Sequence, residues 1–436
     1  MSCGVMRPST TPWSPARPRW SFHWTPARLA LLAILALSGV LLTYRFLVGL
    51  GGPTNLTDRW PWAMWTWWKL TGVALAGAGY ATAFCVHFLG RGRWRDIERG
   101  AFVVSLLGYL MVCFALLIDL GQWYNAWRPV VTFAGYHSVM FELFWCIGSY
   151  TVVQVVEFLY VFEERVPARP LRRVLNVIYA PLLLLGVFLP VFHQSALCSL
   201  YVLAKGRLDP LWWSQLLPLF AVLTSFYVGP AVVVLENHIA NRIYGRPFHS
   251  QILGEMVRLS AFVMLVYLVL RIADYWNRGV LPELLGGAPL GTLALLELGL
   301  TVALPMTMFA SAEVRASRRG LVAASAIAIL GVALYRFNIV IVGMVESTGV
   351  GFYVPHWMEV VIMGGMAAAV SLAYLFIVEN FPIYTARDVA ASEIAGAEAE
   401  AERRARKVAR ASAAHIAEAP AGAPDPERRG EPLLHR

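Results

Sequence analysis

The chain has 436 residues, of which 58% are hydrophobic and only 14% are charged, and its formal net charge is +9. Soluble domains carry about 25% charged residues, so this composition excludes a soluble protein and predicts an all-α polytopic membrane protein. The positive charge does not indicate nucleic-acid binding, because the arginines cluster in short links between apolar runs, as membrane topology requires. The five cysteines lack the grouped spacing of iron–sulfur ligation, so we expect neither a cluster nor a metal site in this chain.

Ten apolar stretches reach the length of about 20 residues that a membrane-spanning helix needs. The first has too long an apolar core for a cleavable signal peptide, and no small-x-small site follows it. Residues 1–28 are predicted to form a basic segment, residues 29–384 the membrane domain, and residues 385–436 a tail that is helical and Ala/Glu/Arg-rich at first and then disordered. The ten predicted spans are roughly 29–50, 62–89, 99–119, 137–162, 172–191, 214–237, 254–276, 290–312, 319–343 and 357–380.

The basic residues alternate from link to link. Links 2–3, 4–5, 6–7 and 8–9 are arginine-rich, whereas the opposite links hold few basic residues and link 9–10 holds none. The positive-inside rule therefore predicts that both termini are cytoplasmic, which fits an even number of spans. The outer links are instead rich in tryptophan, tyrosine and proline, which is typical of an interfacial aromatic belt.

The stretch "FLPVFHQSALCSL" places three polar residues, His193, Gln194 and Ser195, directly after an apolar run. By topology this run is expected at the outer membrane surface. The following residues, 196–204, are apolar but too few to cross a bilayer. We expect them to form a short helix that lies along the outer leaflet or dips into it and holds His193 at that depth.

Ionisable residues inside spans are costly and are functional candidates by default. On the outer half, Asp119, His137, Glu142 and His193 would converge if their helices are neighbours, and we predict a polar pocket there. The alternative is that each group separately caps or packs a helix. Arg271 and Asp274 could neutralise each other, and the inner acids Glu157 and Glu379 could extend to the surface. Trp123, Trp127, Trp212 and Trp213 are expected to wall the pocket.

A pocket of this kind suits a lipophilic molecule such as a quinone, which needs hydrogen-bond donors at its carbonyls and proton carriers on reduction. Histidine and carboxylate groups supply both. A b-type cytochrome is a rival, but haem needs two axial ligands, and the membrane-placed histidines are His87, His137, His193 and His356. A transporter would place its site near the midplane, often in repeated halves, and no clear repeat is present. A membrane anchor without redox chemistry is the third rival.

Several motifs together resemble the NrfD/HybB (polysulfide reductase membrane subunit) family, and most closely its ten-helix HybB-type branch. They cover residues 45 to 382, nearly the whole membrane part. The motifs are "YRFLVGLGGPTNLTDRWPWAMW", "IDLGQWYNAWRP", "HSVMFELFWCIGSYTVVQVVEF", "HQSALCSLYVLAKGRLDPLWW", "LYRFNIVIVG" and "YVPHWMEVVIMGG".

The resemblance implies NrfD-like helix bundles and a haem-free, quinone-interacting subunit in the bacterial inner membrane. Its quinone would be menaquinone or ubiquinone, and its partners a periplasmic ferredoxin-like iron–sulfur subunit and a catalytic subunit such as a nickel–iron hydrogenase. Some relatives are proposed to translocate protons, and alternative complex III uses related subunits. Carried over by position, Asp119, His137, Glu142 and His193 are the candidate catalytic residues. The candidate quinone-binding residues are Trp123, Trp127, Arg128, Gln194, Ser195 and Trp212.

Two departures from the family pattern affect the expected pocket. The run "HQSALC" has Ala196 and Cys198 where "HQSSLG" is typical, and "PWAMW" has Ala63 where glycine is expected. Ala196 removes a hydroxyl group that could line the pocket. The quinone type or its affinity is therefore expected to differ from that of typical members.

Overall fold

A computed structural model describes residues 20–132, 135–166 and 168–384. Within these ranges the regular secondary structure is entirely helical. The predictions for residues 1–19 and for the tail from residue 385 onward lie outside the described residues. The all-α fold class is confirmed for the part of the chain that the structure describes.

Ten helices among the described residues are long and apolar enough to cross a membrane, which confirms the predicted number and a multi-pass membrane protein. Boundaries differ from the predicted ones mainly where a helix continues beyond the apolar run into polar links. The helices are α1 Pro26–Val48, α2 Met64–Phe88, α3 Gly92–Asp119, α4 Val139–Arg165, α5 Arg169–Leu203, α6 Leu217–Tyr244, α7 Ser250–Asn277, α8 Pro289–Ala310, α9 Arg318–Thr348 and α10 Trp357–Asn380.

Several spans are irregular along their length. α2 ends in the π-helical turn Phe84–Phe88, and α8 contains the π-helical turn Gly299–Ala303. α9 changes to a 3₁₀ turn at Val342–Met344. π-turns of this kind are frequent at functional sites and at irregular packing. The links hold short helices at Trp123–Asn125, Arg128–Thr132, Leu281–Leu285 and Ala312–Ala316.

The helices pack as two neighbouring groups, α2–α5 and α6–α9, which meet mainly where α2 and α5 contact α6 and where α2 contacts α9. α1 pairs with α10, and this pair lies against α3 at the edge. Small residues permit the closest approach: a Cβ on Gly77 of α2 would lie 2.3 Å from the Ser225 Oγ, and one on Gly229 of α6 would lie 3.0 Å from the Gly77 carbonyl oxygen. Small residues are the usual means of close helix packing in membranes.

The link between α5 and α6 folds into one end of the second group, the end that the distribution of arginines predicts to be outer. Trp212 is fully buried, and its Nε1 donates to Glu297 Oε2 at 2.7 Å. Ser214 Oγ donates to Asp274 Oδ1 at 2.8 Å. Burial raises the pKa of the Asp209 carboxyl group in this link, although the backbone N–H of Leu211 donates to it and opposes the rise.

The segment before α1 is tied to the end of α10. The Ser21 backbone N–H donates to Asn380 Oδ1 at 2.8 Å, and Asn380 Nδ2 donates to the Ser21 carbonyl oxygen at 2.9 Å. Arg28 is buried and pairs with Glu379. Glu379 is therefore held in an ion pair at the α1–α10 contact, and the expectation that it simply extends to the surface is wrong.

Candidate functional site

The polar run of α5 lies well inside the bundle. α5 is one continuous helix from Arg169 to Leu203 with two internal prolines, and His193 is ten residues, or about 15 Å, from its outer end. The expectation that residues 196–204 form a separate short helix is wrong, because residues 196–203 continue α5. The helix continues because neighbouring helices satisfy its polar groups: Gln194 Nε2 donates to the Val73 carbonyl oxygen at 2.7 Å and to Ser225 Oγ at 2.9 Å.

His193 is fully buried, and the rings of His193 and Tyr109 of α3 lie 5.7 Å apart between centroids. Neither ring nitrogen of His193 has a hydrogen-bond partner among the described residues. Buried polar groups are nearly always paired, because an unpaired donor or acceptor costs about 1–3 kcal/mol. An imidazole in this position can both donate a hydrogen bond to a water or a bound molecule and accept one from it.

A row of polar side chains continues from His193 along the α3–α4 contact. Tyr109 packs edge-to-face on Tyr150, with 4.4 Å between ring centroids. Gln154 Nε2 donates to the Tyr150 hydroxyl at 3.0 Å and to Ser105 Oγ at 2.8 Å. Tyr150 and Gln154 are one helical turn apart on α4, so the helix presents them on one face.

This row ends at a cavity of about 60 Å³ that Tyr150 and Gln154 line together with Glu157. A cavity of this size has room for a few water molecules, since one needs about 10–15 Å³. Glu157 lies against Gly186 of α5, where a Cβ would come within 2.7 Å of its Oε1. Glu98 also lines the cavity, and its Oε1 lies 2.6 Å from His87 Nε2. Glu157 has no hydrogen bond or ion pair to any other described residue, so its carboxyl group is free to face the cavity.

At the outer end, Asp119 forms an ion pair with Lys69 of α2 and also accepts from Thr66 Oγ1 at 3.4 Å. Arg45 of α1 is fully buried, and its Nε donates to the Ile118 carbonyl oxygen at 2.6 Å. It therefore caps the last carbonyl groups of α3. Lys69, which the pocket prediction did not include, is the direct partner of Asp119.

The structure does not bring the four predicted catalytic residues together. His193 is buried, Asp119 is bound to Lys69, and both His137 and Glu142 are exposed at the outer start of α4. No hydrogen bond or ion pair joins any two of the four within the described ranges. His137 and Glu142 are five residues apart and do not share a helix face, and the greater length of α5 places His193 deeper than either.

The predicted quinone-binding residues are also dispersed. Trp123, Trp127 and Arg128 are exposed on the outer link, whereas Gln194 is buried and Ser195 is half-buried on α5. Trp212 is bound to Glu297 in the second helix group, and Trp213 packs under Lys205 at 5.0 Å. These tryptophans do not wall one pocket, because their links fold towards different helices.

The second group holds charged residues that are buried as deeply as His193. Arg336 donates to Thr224 Oγ1 at 2.7 Å and to Cys198 Sγ at 3.2 Å. Asn338 Nδ2 donates to Glu297 at 2.7 Å. The predicted pairing of Arg271 with Asp274 is wrong: Asp274 pairs with Arg278, which lies one turn further along α7.

The membrane-placed His356 and the nearby Glu359 have structural roles. His356 and Glu359 form a capping box at the start of α10, in which each side chain accepts from a backbone N–H of the other's turn. Glu359 also accepts from the hydroxyl group of Tyr353 at 2.6 Å. For these residues the alternative of local capping, rather than a shared pocket, accounts for the polar groups.

Sequence reasoning missed Tyr109, Tyr150, Gln154 and Ser225. A signal for part of this set is present in the sequence. Glu142, Cys146, Tyr150 and Gln154 recur every four residues along α4, and Glu157 follows three residues later. This spacing puts one polar row on a single face of an otherwise apolar helix.

Comparison with known proteins places the chain among membrane subunits. No family model matches it. A protein of Nitratidesulfovibrio vulgaris (strain Hildenborough) without a functional name is 31% identical over 369 residues, covering 82% of this chain and 94% of that protein. An Escherichia coli K12 protein named a probable Ni/Fe-hydrogenase 2 b-type cytochrome subunit is 28% identical over 80% of this chain and 90% of its own length. The chain belongs to the NrfD/HybB family. A further NrfD/HybB relative, the integral membrane subunit of a menaquinone reductase of N. vulgaris, is 26% identical over 56% of this chain and 61% of that subunit.

Proposed function

We propose that this chain is the quinone-reactive membrane subunit of a respiratory oxidoreductase of the hydrogenase or menaquinone reductase type. Its partners are a ferredoxin-like iron–sulfur subunit at the outer face and a catalytic subunit that supplies or takes the electrons. The names of two relatives support this proposal. One relative is named as a hydrogenase subunit, and the other as a menaquinone reductase subunit. The quinone, menaquinone or ubiquinone, is the substrate.

The single observation that carries the proposal is the buried, unpaired imidazole of His193. Reduction of a quinone to a quinol takes two electrons and two protons. The iron–sulfur partner supplies the electrons, and a positioned acid or base in this chain supplies or accepts the protons. His193, with the Tyr109 ring beside it, is the proton-exchanging group, and Asp119 with Lys69 is the charged pair towards the outer face. Glu142, at the outer start of the polar row of α4, stays a second candidate proton carrier.

We further propose that the polar row couples this chemistry to proton uptake from the inner end. The cavity that holds Glu157 takes in protons, and Gln154, Tyr150 and Tyr109 lie between it and His193. Intervening waters complete the path, because hydroxyl, amide and imidazole groups both donate and accept. The burial of this row within the first helix group supports the proposal.

A b-type cytochrome is the alternative that the printed name of the E. coli relative favours. Haem usually takes two axial histidines on facing helices. The ring that lies beside His193 among the described residues is that of Tyr109. The visible spectrum of the purified complex distinguishes a haem protein from a haem-free one.

The test uses the complex purified with its native partners. His193→Ala should lower menaquinone-analogue turnover by roughly 100-fold or more, the usual contribution of a general acid or base. Ser199→Ala, on the same helix, is the matched control and should keep the wild-type rate. Normal turnover in an assembled His193→Ala complex would remove His193 from the reaction and leave Glu142 as the remaining candidate.

A further inference from the structure

A basic cluster lies where α6 ends and α9 begins, at the bundle end that carries the arginine-rich links. The Arg318 Nη2 and Nε atoms lie 3.1 and 3.3 Å from the His238 Nδ1. Arg318 also lies over the ring of Phe248, at 5.3 Å from its centroid. Arg242, one helical turn after His238 on α6, acts electrostatically on the same imidazole. The cluster is therefore held in place by an aromatic ring and by helix geometry.

No carboxylate balances this cluster in the described part of the chain. Neither Arg242 nor Arg318 forms an ion pair there, whereas Arg28, Arg93, Arg99 and Arg172 at the same end each pair with a glutamate. Arg242 has a local reason for its position, because the last turn of a helix favours a cation. The position of Arg318 is electrostatically unfavourable for a cation, because Arg318 occupies the first turn of α9, where the helix dipole is already positive. The electrostatic potential here favours an anion.

The surface beside the cluster is apolar. Ile239 and Ile243 follow His238 and Arg242 directly on α6, and they are 46% and 54% exposed. Exposed isoleucines on a membrane-spanning helix face the hydrocarbon chains of lipids. A basic cluster beside an apolar surface matches a molecule that has a phosphate at one end and acyl chains at the other.

We propose that this cluster binds the phosphate group of an anionic phospholipid. Arg318 and Arg242 pair with the phosphate, His238 holds Arg318 in position, and the acyl chains lie against Ile239 and Ile243. Free inorganic phosphate has the same headgroup chemistry, but without acyl chains it would gain no binding energy from Ile239 and Ile243. Basic pockets between membrane helices recognise anionic headgroups in this way.

The experiment measures lipid retention by native mass spectrometry of the full-length chain in detergent. Phosphatidylglycerol and phosphatidylcholine with the same acyl chains are offered in equal amounts. Wild type should retain phosphatidylglycerol preferentially. Arg242→Gln/Arg318→Gln should reduce that retention by about 30-fold, because each of the two lost basic residues contributes on the order of 1 kcal/mol and every 1.4 kcal/mol is a tenfold change. Arg242→Lys/Arg318→Lys should restore part of it.

Arg169→Gln/Arg173→Gln is the matched control, since it removes two exposed arginines from the first turns of α5. It should retain phosphatidylglycerol as wild type does. An equal loss in both glutamine pairs would show only a general attraction to the basic end and would overturn the site. Complete displacement of bound phosphatidylglycerol by excess inorganic phosphate would assign the site to free phosphate instead.

A measurement on wild type alone covers the case in which the glutamine pair does not fold. Phosphatidylglycerol should raise the unfolding temperature of the wild-type chain above that in phosphatidylcholine. Equal unfolding temperatures in the two lipids would contradict the proposal.

Discussion

His193 combines two properties that single residues of a folded core seldom share, namely complete burial and two ring nitrogens without a partner among the described residues. The ring of Tyr109 from α3 lies beside it, whereas the side-chain Nε2 of the adjacent Gln194 donates hydrogen bonds to groups of α2 and α6. A histidine with a purely structural role would be expected to have hydrogen-bond partners, as the side-chain Nε2 of Gln194 has. The contrast between two adjacent residues is the strongest residue-scale indication of a reactive position.

Glu157 is the proposed entry of the proton path, and Glu157→Gln tests it. The amide keeps the size of the side chain but cannot be ionised, so proton uptake per electron should fall and turnover should slow by roughly 100-fold. The measurement follows the internal pH of liposomes that contain the whole complex during quinone reduction. Glu313→Gln at the same end, whose carboxylate is exposed, is the control. Unchanged proton uptake in Glu157→Gln would leave the cavity without a role in the path.

The Lys69–Asp119 pair is largely withdrawn from solvent, with side chains 7% and 17% exposed. Lys69→Met should therefore destabilise the chain by about 3 kcal/mol, because it leaves an uncompensated charge. The double variant Lys69→Met/Asp119→Leu removes both charges and should recover part of the loss. Thermal unfolding of the four proteins of this cycle in detergent measures the coupling. Strictly additive effects would mean that the two groups do not interact.

At the scale of helices, the close contact of α2 with α6 determines how the two helix groups meet. It depends on Gly77 and Gly229, each of which approaches the backbone of the other helix. The same contact positions Ser225, which accepts from Gln194 and donates to the Ala74 carbonyl oxygen at 3.0 Å. The packing of α2 against α6 therefore also determines which hydrogen-bond partners Gln194 of α5 finds.

Gly77→Ala should destabilise the protein by about 1–3 kcal/mol, because the new methyl group overlaps Ser225 and forces α2 away from α6. Gly148→Ala is a suitable control, since a Cβ there meets no atom within 4 Å on α4. It should leave stability unchanged or raise it by up to about 1 kcal/mol through helix propensity. The measurement is the unfolding temperature of each variant in the same detergent. Equal values would show that α2 and α6 can move apart without loss of stability.

For the whole molecule, the distribution of arginines predicts that both termini are cytoplasmic. A C-terminal green fluorescent protein fusion should therefore fluoresce in intact bacterial cells, and a C-terminal alkaline phosphatase fusion should be inactive. Fusions placed in the link between α9 and α10, which holds no arginine or lysine, are the control and should show the reverse pattern. An active C-terminal phosphatase would invert the orientation and with it the side on which the iron–sulfur partner docks.

The ten spans were predictable from the sequence because a bilayer demands about 20 apolar residues in each helix, whatever the neighbours are. Irregularities inside the spans, such as the π-turns of α2 and α8, were not predictable from the sequence, because they depend on packing between helices. The unusual length of α5 was also missed. Its polar run marks the end of a span when only the chain is considered, but inside the bundle α2 and α6 supply the missing hydrogen bonds.

By itself the sequence determined the membrane class, the number of helices, the family and the residue types available for proton chemistry. The tertiary structure alone decided the partners: Asp119 with Lys69, Asp274 with Arg278, Trp212 with Glu297, and His193 with no partner among the described residues. Periodicity along one helix reports which face a residue occupies, but it carries no distance to another helix. A polar group inside a membrane is satisfied mostly by other helices, so its role becomes visible only when those helices are in place.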